Sequence, residues 1–384
     1  MNLSKQNVAL LVVAVALAVP TFLQLRGEAE IFKDIATIPL LFDGFSSDNT
    51  GQILMGKPKA EQPPADPQNP DQKRPIAYDQ MLLQRTDKGW AFAPIVGQPP
   101  IDLAGAPVNK DRVEADVFAH LRTIRIDRDT LVQPNATPDQ LAELGLDEAH
   151  AFVFKLIDTT GKIVVADLLV GREAGAGQTG TEAVRGVFVR KTDSTDVVLY
   201  EFDKGWRRDV LPDQWLDKVL AKVEPDKIQR FSIRNAATNG MTFDFERKDG
   251  KASWQAVDPS VPVGAVRQTE VEALLQRMRW MSAADFRTPL ARSGNLAALG
   301  LSPPQIEFEM TVLEGGQNRV IKFAVGNKVD GKNEYYLTSS ESQFLMTWPA
   351  GYVTAFEVDV KAAWFDPAPP AANKPPDEDD KKNK

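Results

Sequence analysis

Short apolar runs alternate with polar residues over most of this chain, and most end at turn residues. The alternation predicts strands over residues 51–55, 77–85 and 90–95, the last two joined by the turn Asp87-Lys88-Gly89. A helical period takes over after Asp111: Val113, Val117, His120, Leu121 and Ile124 fall on one face. Asp111 with Glu114 has the spacing of an N-cap and its reciprocal partner. Thr137-Pro138 opens a second, short helix with Leu141 and Leu144 inward and Gly145 as a left-handed C-cap. Strands are expected at 151–157, 163–170, 184–190 and 197–202. A closing helix is expected over 212–223, with Trp215, Leu216 and Val219 on one face.

The pattern then repeats. Leu141-Ala142-Glu143-Leu144-Gly145-Leu146 returns as Leu296-Ala297-Ala298-Leu299-Gly300-Leu301, and Val170-Gly171 returns as Val325-Gly326. Both pairs share an offset of 155, as do Gly161 and Gly316. Strands are expected over 226–234 and 241–247, and then around Trp254. A capping box at Thr269-Glu270-Val271-Glu272 leads a helix whose core stripe is Val271, Leu275, Met278 and Met281. A short helix at 296–299 precedes strands at 306–313, 320–325, 334–337 and 343–346, and residues 349–356 echo the closing helix.

Each copy reads β-β-β-α-α-β-β-β-β-α, which implies an α+β fold: two tandem units, each a mostly antiparallel sheet with helices on one face. The expected boundaries are an N-terminal anchor at 1–30, a first unit at 31–223, a second at 224–364 and a disordered charged tail at 365–384. Residues 57–75 are Pro-, Asp- and Gln-rich with almost no apolar content, and read as a solvated loop inserted in the first unit.

The longest apolar run lies at the start. Residues 8–25 carry no charge and span about 27 Å as a helix at about 1.5 Å per residue, close to a bilayer core of about 30 Å. They predict a single transmembrane helix in the cytoplasmic membrane, with the body facing the periplasm or exterior. Ala16-Leu17-Ala18 keeps a cleaved signal peptide open as the rival, and either reading exports the body.

Composition narrows the chemistry. The net charge of −8 argues against nucleic acid as a partner, because phosphate binding needs a basic patch. The absence of Cys excludes disulfides, thiolate metal sites and cysteine nucleophiles. No catalytic, cofactor-binding or metal-ligating residue is assigned. Gly175, Gly177 and Gly180 fit a dinucleotide-loop spacing, but an alternating segment follows where a helix is required, so they read as a hairpin loop. Aligning Val113 with Val271 sets His120 opposite Met278, on the core stripe. His150 has no second ligand at metal spacing. Trp280 and Met281 read as core packing, and the tail carboxylates as solvated.

Several segments resemble one family. Residues 38–49 after an apolar N-terminal helix, the Lys88-Gly89-Trp90 turn, the Leu-Gly-Leu step and the Val-Gly strand end look like the domain-of-unknown-function 4340 family over roughly residues 5–364. That resemblance implies a role beside an ABC-type permease or a gliding-motility-like complex, and it carries over no catalytic residue. The leading expectation is a non-enzymatic accessory or scaffold protein whose partners are the membrane, through residues 8–25, and an ABC-type permease or other envelope protein. One alternative is a periplasmic ligand- or glycan-binding module using a cleft between the repeats. A second is a hydrolase using paired carboxylates.

Overall fold

A computed structural model describes residues 39–42, 46–60, 76–96, 102–174, 186–202, 205–247, 253–257 and 264–367. The expected membrane helix, the Gly175–Gly180 motif, most of the 57–75 loop and nearly all of the tail lie outside them. Among the described residues no helix is long and apolar enough to cross a membrane.

The protein is built mostly of antiparallel sheet with few helices, as an α+β chain. Its strands are β1 (Thr50–Pro58), β2 (Tyr78–Thr86), β3 (Gly89–Ala93), β4 (Pro107–Val108), β5 (Leu131–Gln133), β6 (Phe152–Asp158), β7 (Val164–Ala174), β8 (Gly186–Lys191), β9 (Val197–Glu201) and β10 (Val219–Lys222). There follow β11 (Ile228–Arg234), β12 (Phe243–Arg247), β13 (Trp254–Val257), β14 (Trp280–Ser282), β15 (Asp285–Pro289), β16 (Ile306–Glu314), β17 (Gln317–Lys328), β18 (Glu334–Ser339) and β19 (Phe344–Pro349). The chain clusters into two compact units, one within residues 1–95 and 110–215, the other within 96–109 and 216–384.

In the first unit the strands run β3-β2-β1-β6-β7-β8-β9-β5, and in the second β13-β12-β11-β16-β17-β18-β19-β15. Apart from the two-residue β4, the two orders correspond strand for strand. In each, one face of the sheet carries the core. Ile53, Met55, Phe154 and Leu168 are buried in the first unit, with Val113, Val117 and Leu121 from the helical segment. Phe231, Phe308, Met310 and Phe323 are buried in the second, with the expected stripe Val271, Leu275, Met278 and Met281. Each such side chain taken from water contributes about 1.5–3 kcal/mol.

The repeated residues form one lock, made twice. Gly145 (φ 67°) and Gly300 (φ 68°) take the left-handed conformation that glycine adopts without a Cβ clash. Leu146 N–H then donates to Leu141 O (2.7 Å) and Leu301 N–H to Leu296 O (2.9 Å), closing a Schellman turn in each unit. The next carbonyl is received by a bulge in the neighbouring strand. Arg172 N–H donates to Leu144 O (3.0 Å) and Asn327 N–H to Leu299 O (2.7 Å). The register shifts between Val170 and Glu173, and again between Val325 and Lys328. A Cβ at Gly171 would strike the Leu144 carbonyl, and one at Gly326 the Leu299 carbonyl. The Val-Gly repeat therefore marks a close backbone approach.

Several expected elements differ. The closing helix shrinks to Pro212–Trp215, and β10 follows it, paired with β14. Val219 is exposed, off the Trp215–Leu216 face, because the run after Trp215 finds a ladder partner that outweighs a weak helical preference. Leu296–Leu299 is a turn rather than a helix. In the first unit Thr137 and Gln140 cap each other reciprocally and Pro138 sits at the first turn, whereas Asn295 faces Ala298, which cannot reciprocate. Neither Asp111 nor Thr269 is an N-cap, since the helices begin at Lys110 and Gln268. Glu272 instead accepts from Arg247 (2.7 Å) and from Trp254 Nε1 (2.9 Å). The helix after Lys110 widens into a π segment at Glu114–Phe118 before ending at Ala119–Leu121. β1 runs on through Pro58, two residues into the expected loop. β5 and β15, each the sheet's last strand, were not expected at all.

Candidate functional site

The open side of the second sheet holds a groove of about 470 Å³. Ser232 and Arg234 on β11, Glu307 and Glu309 on β16, and Lys322 and Ala324 on β17 line it, with Thr338 on β18 and Ser340 just after. Thr242, Leu290, Phe308, Phe323 and Ser339 complete the lining. Strand alternation puts Ser232, Arg234, Glu307, Glu309, Lys322 and Ala324 opposite the core, where Phe231, Ile233, Met310 and Ile321 are buried.

Two cross-strand ion pairs furnish the walls. Arg234 Nε donates to Glu307 Oε2 (2.9 Å), its register partner, and Lys322 Nζ meets Glu309 Oε2 at 2.7 Å, again in register. The hydrogen bond to Glu309 raises the Lys322 pKa, which keeps Lys322 charged at neutral pH. Lys322 N–H donates to Ser340 Oγ (3.0 Å), which pins the hydroxyl at the sheet surface. The groove thus presents two cations, two anions and five hydroxyls around a small floor.

Register identifies the matching positions in the first sheet. Met55 opposes Phe154 as Ile233 opposes Phe308. Leu54, Gly56, Val153 and Leu169 therefore stand where Ser232, Arg234, Glu307 and Ala324 stand. Lys155 and Asp167 pair at 3.1 Å in the place of Glu309 and Lys322, with the charges exchanged. This face is closed. Ala136, Leu141, Leu146, Ala151, Leu169 and Val197 form a cluster there, joined by Leu144, Val153 and Phe188. Arg190, at the position of Thr338, is buried and donates to the carbonyls of Leu146, Lys191, Thr192 and Ser194. It ties a turn to the sheet.

The residues weighed from sequence lie elsewhere. His120 is 8% exposed, hydrogen-bonds through Nδ1 with Tyr200 Oη (3.0 Å) and stacks on Trp206 with ring centres 4.7 Å apart. Burial, with the nearby Arg208 charge, lowers its pKa to about 4, so it is neutral at pH 7. His150 is exposed and bonds Asp147 (2.6 Å) ahead of β6. Met281 is core, but Trp280 is half-exposed with Lys222 4.8 Å above its ring, so the expectation of two core residues holds for one. β7 and β8 flank the Gly175–Gly180 motif and pair antiparallel. Asp116 is raised above its ordinary pKa by burial, against Arg112 at 3.7 Å. Among the described residues no group of three or more His, Asp or Glu converges as a metal site.

Sequence reasoning missed every groove residue as well as Arg190 and Asn235. Asn235 is buried and donates to the carbonyls of Phe356 and Val358, tying the last segment to β11. The one available signal was polar residues at alternate positions of β11 and β16, which marks any solvated sheet face.

Neither a curated protein nor a solved structure matches the chain. The family model described as "Domain of unknown function (DUF4340)" matches residues 102–294, about half the chain and a shorter span than the resemblance suggested. By that match, the chain belongs to the DUF4340 family.

Proposed function

We propose that this chain is a non-enzymatic, membrane-anchored envelope protein, an accessory or scaffold subunit of an ABC-transporter-like or gliding-motility-like complex. Residues 8–25 anchor it in the cytoplasmic membrane and the body faces the periplasm or exterior. Two tandem α+β units, related by duplication, make that body. The offset of 155, the twice-made turn-and-bulge lock and the matched strand orders support the duplication. The observation that carries the scaffold reading is where the units agree and differ. They share the residues that build the fold and diverge on the outer sheet face. Divergence at a surface is what a partner-binding role requires.

Two experiments test this. The chain has no Cys, so Leu313→Cys at an exposed site reports sidedness through an impermeant thiol reagent. Labelling in intact spheroplasts is expected, and labelling only after lysis overturns the topology. A photo-cross-linking residue in place of Lys328 should yield an adduct with a permease or other envelope protein. Adducts with neither overturn the scaffold role.

A further inference from the structure

The groove of the second sheet, part of the divergent face that supports the accessory reading, has a chemistry that calls for no permease partner. Its charges are balanced and already paired, Arg234 with Glu307 and Lys322 with Glu309. An ionic ligand would have to break one of those pairs, so the groove favours a neutral one. Each pair sets donors beside acceptors, and Ser232 and Thr338 add hydroxyls that both give and accept. A vicinal diol offers a donor and an acceptor on each of two adjacent oxygens and matches that array. The volume of about 470 Å³ lies in the range of small-molecule sites. The matching face of the first sheet carries Leu54 and packs Val153 and Leu169 into an apolar cluster, so this polar lining belongs to one unit.

We infer that the outer face of β11, β16, β17 and β18 binds a neutral oligosaccharide, held by the Arg234–Glu307 and Lys322–Glu309 pairs and the hydroxyls between them. The ligand is a chain of hexoses or N-acetylhexosamines, and affinity is modest because its hydroxyls compete with ion pairs already formed.

The test uses the full chain in detergent, titrated with cellotetraose and chitotetraose and, as comparison, with a capped tetra-alanine peptide. Hydrogen exchange should slow in β11 and in β16 to β18 with at least one sugar at millimolar concentration. Calorimetry should give a Kd of about 0.1–1 mM. Ser232→Leu with Glu307→Val installs the first sheet's residues and should weaken binding about tenfold or more. Ala324→Leu, a smaller change that fills the floor, should do the same and serves if the double variant does not fold. No protection by either sugar, protection elsewhere on the chain, protection by the peptide instead, or full affinity in a folded variant would each overturn the inference.

Discussion

The two sheets share a strand order and a turn-and-bulge lock, yet their outer faces have opposite character. The first buries Leu141, Leu146 and Leu169 in a satellite cluster, and the second leaves Ser232, Arg234, Glu307 and Lys322 around an open groove. A strand's two faces are independently addressable, because alternate residues point opposite ways. The inner face can be held to a core while the outer face changes at little cost to the fold. The cross-strand pair shows this on a small scale, with Lys155–Asp167 in one sheet and Glu309–Lys322 in the other.

The lock is the feature that both units should need. Gly171→Val and Gly326→Val each drive a side chain into a carbonyl and should destabilise by about 3 kcal/mol or more, read as a denaturant midpoint. A small loss at one site only would break the equivalence of the two units. The satellite cluster gives the next effect. Leu141→Ala should cost about 2–4 kcal/mol, while Leu296→Ala, half-buried at the matching turn, should cost less than about half of that. Equal losses would mean that the second face is closed as well.

His120 separates the cores by pH. Its folded pKa is about 4 against an ordinary 6.5, so the unfolded chain takes up a proton first as the pH falls. The stability tied to the neutral ring is complete above about pH 6.5 and is lost as pH drops through 4, by about 3 kcal/mol in all. His120→Met installs the residue found at the aligned position Met278 and should flatten that part of the pH profile. An unchanged profile would move the acid sensitivity to other groups. The smallest effect belongs to the reversed ion pair. Lys155→Asp with Asp167→Lys should change stability by under about 0.5 kcal/mol, since the pair is partly exposed and the second sheet carries that sense already. A larger loss in the double variant would show that the two faces are not interchangeable at this position.

Much of the fold was legible because its signals are local. Gly145 and Gly300 advertise left-handed caps, and Val271, Leu275 and Met278 keep a helical period that the core confirms. The signals failed where partners lie far along the chain. Leu131–Gln133 and Asp285–Pro289 are too short to carry a period, and they become strands only because β9 and β19 offer ladders. Glu272 follows a capping spacing and is drawn away by Arg247 and Trp254. Of the groove nothing was legible, since its polar residues come from four strands and mimic an ordinary wet face.

The sequence alone determined the α+β class, the repeated glycine cap, most strands and the core stripes, since periodicity and glycine stereochemistry act over a few residues. Tertiary structure alone decided that one outer face closes while the other opens as a groove. That outcome depends on which side chains meet across β11, β16, β17 and β18, and residues Ser232 and Ser340 become neighbours of one site only once the strands pair.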